Sequence, residues 1–253
     1  MFSQERQRRI LTELEQRGRV EVAELAGRFG VSEDTVRRDL KALAGRGYLQ
    51  KTHGGAVALD PGRMSWAARA DLRGDAKAAI GALAATLVQP GQMVLLDAGS
   101  TVLELARRLN VRPLNVVTNS LDVAALFAAD EGVALSLTGG DWDRRSRYFT
   151  GMSALELLAS RRGDWAFLGA CAVHPAAGLT SVAEPDAAVK RAMLASAERT
   201  VLLADSSKAG QIAPYLVAPL NGLYAVVTDD AALADTLAET GVRVLVPDPK
   251  PES

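Results

Sequence analysis

Three short amphipathic patterns open the chain. Ile10, Leu11 and Leu14 predict a helix over Ser3–Arg17, stopped by Gly18, and Val22, Leu25, Ala26 and Phe29 predict a second, stopped by Gly30. Only Val31 separates that glycine from Ser32, which stands where the N-cap of a third helix belongs. The third helix has an apolar stripe at Val36, Leu40 and Leu43. At about 100° per residue, Arg38 and Lys41 fall nearly opposite that stripe, with Thr35 and Arg37 on its flanks. Tyr48–Val57 reads as two short strands closing a small wing, whose Lys51 and His53 can reach a backbone phosphate or the minor groove. Helix, helix, tight turn and basic amphipathic helix make a helix-turn-helix pattern. A short helix with one apolar edge and arginines on the other suits a groove lined with phosphates and base edges.

Residues 58–74 show Pro61-Gly62 and no clear hydrophobic period, so they read as a linker between a head at 1–57 and a body at 75–253. The body alternates helix with strand. Continuous apolar strands are predicted at Met93–Leu96, Leu114–Val117, Val133–Leu137, Trp165–Leu168, Thr200–Ala204, Tyr224–Val227 and Arg243–Val246. Helices are predicted around Ile80–Leu87, Val102–Leu109, Leu121–Ala129, Ala154–Ser160, Asp186–Glu198 and Ala231–Thr240. Unbroken apolar strands between helices predict an α/β domain with a mostly parallel sheet covered on both faces.

Composition adds one asymmetry. Of 253 residues, 23% are charged and the net charge is −1, but residues 1–57 carry 11 Lys+Arg against 8 Asp+Glu while the remainder carries 18 against 22. A basic head on an acidic body favours a polyanionic partner for the head. The first ten residues are charged, unlike a secretory signal, and the longest apolar run, Ala78–Val88, is too short to span a bilayer. A single cysteine, Cys171, forms no internal disulfide and fits a reducing, cytoplasmic setting. The histidines, His53 and His174, lie in different segments, so no metal and no cofactor is expected.

In open parallel sheets, ligands gather beyond the carboxyl ends of strands. There this chain places Asp97-Ala98-Gly99-Ser100-Thr101, Thr118-Asn119-Ser120, Gly139-Gly140 and Asp205-Ser206-Ser207-Lys208. Gly99 permits close backbone approach, Ser100 and Thr101 offer hydroxyls, and a following helix N-terminus favours an anion. The implied ligand is a small phosphorylated polyol. Its phosphate would sit on the 97–101 loop with counter-charge from Lys77 or Lys208, and Asp97, Asn119 and Asp205 would pair its hydroxyls. Lys77, Glu184 and Lys190 have a plainer reading as a solvated helix face.

The run from Arg6 through Ile10, Leu14, Val22, Leu25, Val31-Ser32 and Thr35-Val36-Arg37-Arg38-Asp39-Leu40 to His53-Gly54-Gly55-Ala56 resembles the winged helix-turn-helix head of DeoR-type bacterial transcriptional regulators. Asp39 belongs to that motif. As an acid it repels phosphate, so it is read as the partner of an arginine. The resemblance continues through Arg69, Lys77-Ala78-Ala79-Ile80-Gly81, Leu96–Thr101, Val117–Ser120, Gly139-Gly140, Phe167-Leu168-Gly169, Gly178-Leu179-Thr180, Glu184, Val189-Lys190-Arg191 and Ala204–Lys208. It implies a sensor half similar in fold to ribose-phosphate isomerases and CoA transferases. It also implies sugar-phosphate sensing, with Lys77, Asp205 and Lys208 the foremost effector contacts. Two positions depart from the family pattern: Ser100 replaces a usual threonine, and Arg73 a frequent asparagine, which adds charge near the pocket.

The expectation is therefore a repressor of a sugar or polyol catabolic operon. It would bind double-stranded operator DNA as a homodimer or homotetramer and be relieved by a phosphorylated sugar. Two other readings stay open from sequence. One is an isomerase-like enzyme, disfavoured because Phe167–Val173 holds no acid for proton transfer; Cys171 reads as a packed residue, and His174 precedes Pro175. The other is a DNA-binding protein governed by a protein partner.

Overall fold

The computed structural model describes residues 2–59, 64, 66, 68 and 72–248, without the side chains of Glu15 and Gln16. The chain divides into two units, Met1–Leu72 and Arg73–Ser253. The first contains α1 (Ser3–Arg17), β1 (Arg19–Glu21), α2 (Val22–Phe29), α3 (Glu33–Gly45), β2 (Leu49–Lys51) and β3 (Gly55–Ala58). Gly18 and Gly30 cap α1 and α2 in the left-handed conformation, so both helices stop where the sequence places a glycine. At the start of α3 the Ser32 hydroxyl accepts from the Thr35 N–H at 3.3 Å. Ile10, Leu14, Leu25, Val36, Leu40 and Leu43 face one another in a common core. Truncating one of them, Leu40→Ala for example, costs roughly 2–5 kcal/mol.

The wing has a third strand. β3 lies between β1 and β2 and is antiparallel to both. β1 is a three-residue strand in which only Val20 is buried, so it offers no alternation to detect. A Cβ on Gly55 would lie 2.0 Å from the Val20 carbonyl oxygen, so the close approach of β1 to β3 depends on glycine there. The stretch expected as a linker also differs from a free connection. Ala58 ends β3; Met64 and Ala68 are buried in the core of the first unit, and Leu59 and Leu72 pack against it. Arg69 lies outside the described residues.

The second unit is the α/β domain. In chain order it contains α4 (Gly74–Ala85), β4 (Met93–Leu96), α5 (Ser100–Ala106), β5 (Leu114–Thr118), α6 (Leu121–Phe127), β6 (Val133–Leu137), β7 (Asp141–Asp143), β8 (Tyr148–Thr150), α7 (Met152–Ala159), β9 (Gly163–Gly169), β10 (Ala172–His174), β11 (Gly178–Ser181), α8 (Glu184–Ala195), β12 (Ala197–Leu203), β13 (Tyr215–Ala218), β14 (Ala225–Val227), α9 (Ala231–Ala238) and β15 (Val244–Leu245). Seven strands form one sheet in the order β15-β14-β12-β9-β4-β5-β6, with every neighbouring pair parallel. The chain starts in the middle, builds β4, β5 and β6 to one side, then returns to build β9, β12, β14 and β15 on the other. The direction therefore reverses between β4 and β9, the crevice where open α/β sheets hold ligands. Val94, Leu95, Leu96, Phe167, Leu168, Leu202 and Val226 are fully buried, as a doubly covered sheet requires. Two small antiparallel additions went unpredicted: the hairpin β7–β8 and the sheet β10-β11-β13.

Candidate functional site

On the first unit, α3 presents its polar face outward. Ser32, Arg37, Arg38 and Lys41 are exposed and Thr35 is half-exposed; Lys51 closes β2 and His53 lies in the wing turn, both exposed. The two arginines are ion-paired along the helix, Arg37 Nη2 to Glu33 at 2.6 Å and Arg38 Nη2 to Asp34 at 2.6 Å. Such surface pairs contribute little and exchange readily for a stronger anion. Asp39 faces inward instead. It accepts from Arg6 Nε at 2.5 Å, Gln7 at 3.0 Å and Ser3 at 3.1 Å, all on α1. Burial works to raise its carboxyl, but those donors hold it below the ordinary aspartate value. Asp39 thus fixes α3 against α1 and leaves the outer face cationic.

On the second unit, the strand-end residues fall into two groups along the carboxyl edge. Asp205, just beyond β12, is buried, with its carboxylate taking the Ser207 N–H at 3.1 Å and the Ser207 hydroxyl. Burial alone would raise it; Lys208, then Lys77, then the Ser207 donors bring it below the ordinary range. Lys77, Asp205 and Lys208 are thereby brought together. Lys77 is 4% exposed, so the solvated-face reading fails for it. Arg73 stands beside this group in a left-handed conformation (φ 52°), which asparagine adopts more readily. Its guanidinium donates to the Ser206 hydroxyl and pairs with Asp229 at 3.8 Å, so the added charge has partners.

The second group gathers at the switch point. Asp97 Oδ2 accepts from Gly169 N–H at 3.0 Å, across the β4–β9 crevice, and from Lys190 Nζ at 2.5 Å. Lys190 also donates to Asp186 at 3.1 Å, and Asp186 accepts from the Ser181 hydroxyl at 2.6 Å. Lys190 is 2% exposed; the solvated-face reading fails here too and holds only for Glu184, an exposed partner of Arg191. Burial would lower Lys190, but Asp186 and then Asp97 hold it above the ordinary lysine range. Asp97 is lifted by burial, opposed by Lys190 and reinforced by Asp186. Sequence reasoning had given no role to Asp186 and had left Lys190 as surface.

Three side-chain atoms on this edge are buried and have no hydrogen-bond partner: Asp97 Oδ1, Asn119 Oδ1 and Thr138 Oγ1. They follow β4, β5 and β6 directly, one at each of three adjacent strand ends. Buried polar atoms are nearly always satisfied, so three such atoms in a row mark a place built for donors that the protein itself does not provide. Gly99, Ser100 and Thr101 lie beside the first, with Gly99 at φ 152° and nothing within 4 Å of where a Cβ would project. Elsewhere, His174 Nδ1 accepts the Ala176 and Ala177 N–H groups at 3.1 and 3.3 Å, which occupies its lone pair in a turn. Cys171 contacts Ser181 and Asp186. Among the described residues no group of three or more His, Cys, Asp or Glu suits a metal ion, and no helix is long and apolar enough to cross a membrane.

Comparison with known proteins decides the lineage. The DeoR C terminal sensor domain matches residues 73–230, and the DeoR-like helix-turn-helix domain matches residues 6–61. The chain belongs to the DeoR family. Among DeoR-family relatives, the HTH-type transcriptional repressor GlcR of Bacillus subtilis (strain 168) is 35% identical over 97% of this chain and 97% of its own. The putative aga operon transcriptional repressor of Escherichia coli O157:H7 is 32% identical over 96% and 93%. Among solved structures, ribose 5-phosphate isomerase A from Methanocaldococcus jannaschii aligns with a TM-score of 0.40 and 21% identity, over 54% of each chain. This DeoR-family chain is a DNA-binding regulator of transcription and not an enzyme.

Proposed function

We propose that the protein represses a sugar or polyol catabolic operon and that a phosphorylated sugar, bound at the carboxyl edge of the parallel sheet, relieves the repression. The observation that carries this reading is the polarity of that edge. At one end Lys77 and Lys208 flank Asp205, with Arg73 nearby; at the other, three buried acceptors await donors. A ligand with an anionic head and a hydroxylated tail matches both ends at once. Lys77 and Lys208 take the phosphate, with Gly99, Ser100 and Thr101 lending N–H and hydroxyl donors. Asp97, Asn119 and Asp205 accept from the sugar hydroxyls. Regulators so named among the relatives include repressors, which supports the sign of the control.

In the head, Ser32, Thr35, Arg37, Arg38, Lys41, Lys51 and His53 make up the surface offered to operator DNA, with α3 in the major groove and the wing on the flank. The protein acts in the cytoplasm as a homodimer or homotetramer that presents two such heads to a two-fold operator. The deciding experiment measures melting temperature across a panel of phosphorylated sugars, with and without a duplex from the upstream region of its own gene. A sugar phosphate that raises the melting temperature and releases the duplex is the expected result. A panel in which every sugar phosphate leaves both unchanged, at a stated salt, rejects the reading.

A further inference from the structure

The β7–β8 hairpin has no part in the site as described so far, yet it lies on that site. Phe149 N–H donates to Asn119 O at 2.8 Å, Asn119 Nδ2 returns a bond to Phe149 O at 3.3 Å, and Tyr148 bridges to Ser120. The hairpin thus sits over the end of β5, against the residue whose Oδ1 is orphaned. On its other side β8 packs against α8, the helix that carries Asp186 and Lys190. Two of the unpartnered atoms, on Asn119 and Thr138, belong to residues that touch the hairpin or lead into it.

Glycines flank the hairpin at both ends and let the chain turn sharply out of the strand ends. Gly139 (φ 64°) and Gly140 (φ 102°) precede it and Gly151 (φ 88°) follows it, all in conformations that other residues adopt only with strain. Between them Trp142 and Phe149 pack across the hairpin as a tilted pair with ring centroids 5.0 Å apart. One polar latch holds it to α6, where Arg147 grips Asp122 through two bonds of 2.6 and 2.8 Å. Tyr148 is half-buried between this piece and the Asp186–Lys190 pair. Burial foremost, then the charges of Asp186 and Asp143, push its phenol up to about 12, so it stays protonated and able to donate.

We infer that the Asp141–Thr150 hairpin is the movable cover of the effector pocket and that Tyr148 is a sugar-contacting residue on its underside. The acceptors at the strand ends are fully screened from solvent while the cover is down, so a polyhydroxylated ligand reaches them only when it lifts. Once the ligand is seated, the Tyr148 hydroxyl faces the same hydroxyls as Asp97 and Asn119. The ligand part of this inference rests on the sugar-phosphate reading above; the motion does not.

Hydrogen exchange on the full-length protein tests both parts. Without ligand, the Phe149 amide should exchange on the order of 100-fold faster than the Val116 and Val117 amides of β5, because it opens with the hairpin alone. Exchange as slow as that of β5 would overturn the cover. Ribose 5-phosphate, fructose 6-phosphate and glucitol 6-phosphate serve as probes. A probe that raises the melting temperature should slow Phe149 exchange and change Trp142 emission, a signal lost in Trp142→Phe. Tyr148→Phe should then weaken that probe by about 10-fold, the cost of leaving buried acceptors short of one donor. A probe that raises the melting temperature but leaves hairpin exchange, Trp142 emission and Tyr148→Phe affinity untouched refutes the inference while the sugar-phosphate reading stands. If none of the probes raises it, the sugar-phosphate reading and the role of Tyr148 fall together.

Discussion

Arg6 and Asp39 meet between α1 and α3, both nearly sealed from water. A buried charge is tolerated only with its partner, so removing one side is far costlier than removing both. Asp39→Ala should therefore lower the stability of the first unit by roughly 3–5 kcal/mol, read as an early transition in guanidinium denaturation. An Arg6→Met, Asp39→Met double variant should recover most of the loss. The sign with pH follows from the carboxyl lying below its ordinary 3.8 in the fold: the stabilisation is complete above that value and is lost as pH falls through the lower folded one. Lys190 gives the opposite case. In Lys190→Met, Asp97 and Asp186 stay buried without their cation, and the burial that already raises Asp97 is no longer opposed by Lys190. The deficit in melting temperature should be largest at pH 7.5 and shrink toward pH 5, as the unpaired carboxyls take up protons. A deficit that grows on acidification would contradict this charge assignment. Lys77, Asp97, Asn119, Asp205 and Lys208 could be singled out because each stands in a polar loop directly after an apolar strand, or in the family's motif. Lys190 could not. It lies within an ordinary-looking helix, and nothing in Val189-Lys190-Arg191 says which of the two cations turns inward.

At the level of elements, the helices of the head and the main parallel sheet were legible and the small antiparallel pieces were not. The helices of the head and the seven parallel strands repeat apolar residues often enough to fix a period, and their observed bounds differ from expectation by a few residues at most. β1, β7, β8 and β10 are three residues long and β11 and β13 four, no shorter than β14 and β15, but they lie outside the main parallel sheet. These short pieces are the wing's third strand, the β7–β8 hairpin and the β10-β11-β13 sheet. The charges of α3 have a further consequence. Arg37 and Arg38 are paired with Glu33 and Asp34, so duplex phosphate has to displace two acids to reach them. Arg38→Ala should weaken duplex binding and flatten the log K against log salt slope by about 0.9, one counterion's worth. Asp34→Asn should do the reverse on random DNA, since it frees Arg38 and removes a repulsive charge. Anisotropy titrations at several salt concentrations distinguish these outcomes. An unchanged slope in Arg38→Ala would place that side chain outside the interface.

For the whole molecule, the sensor influences the head only if the effector favours one of two DNA-binding arrangements. Moving a protein from almost fully bound to almost fully released takes a differential affinity of about 10⁴-fold between those arrangements. In the proposed site a dianionic phosphate on Lys77 and Lys208 contributes to that difference through charge-assisted contacts, about twice as strong as neutral ones. Lys208 stands on a single 3-10 turn, Ser206–Lys208, capped by Asp205, with Ser206 tied to Asp229 and Arg73. Arg73 in turn opens the second unit at its boundary with the first. In the proposed site, Lys208 thus shares a turn with Ser206, which is bonded to Arg73, the first residue of the second unit. Lys208→Ala should leave duplex affinity within about twofold of wild type, since it alters nothing in the head. It should also abolish the release that a sugar phosphate causes, and remove the shift in melting temperature along with it. Measuring release and shift together separates two failures. If the shift survives but release is lost, Lys208 transmits the signal without holding the phosphate. If both survive, the phosphate sits elsewhere on the edge, and Lys77→Ala becomes the variant that abolishes them.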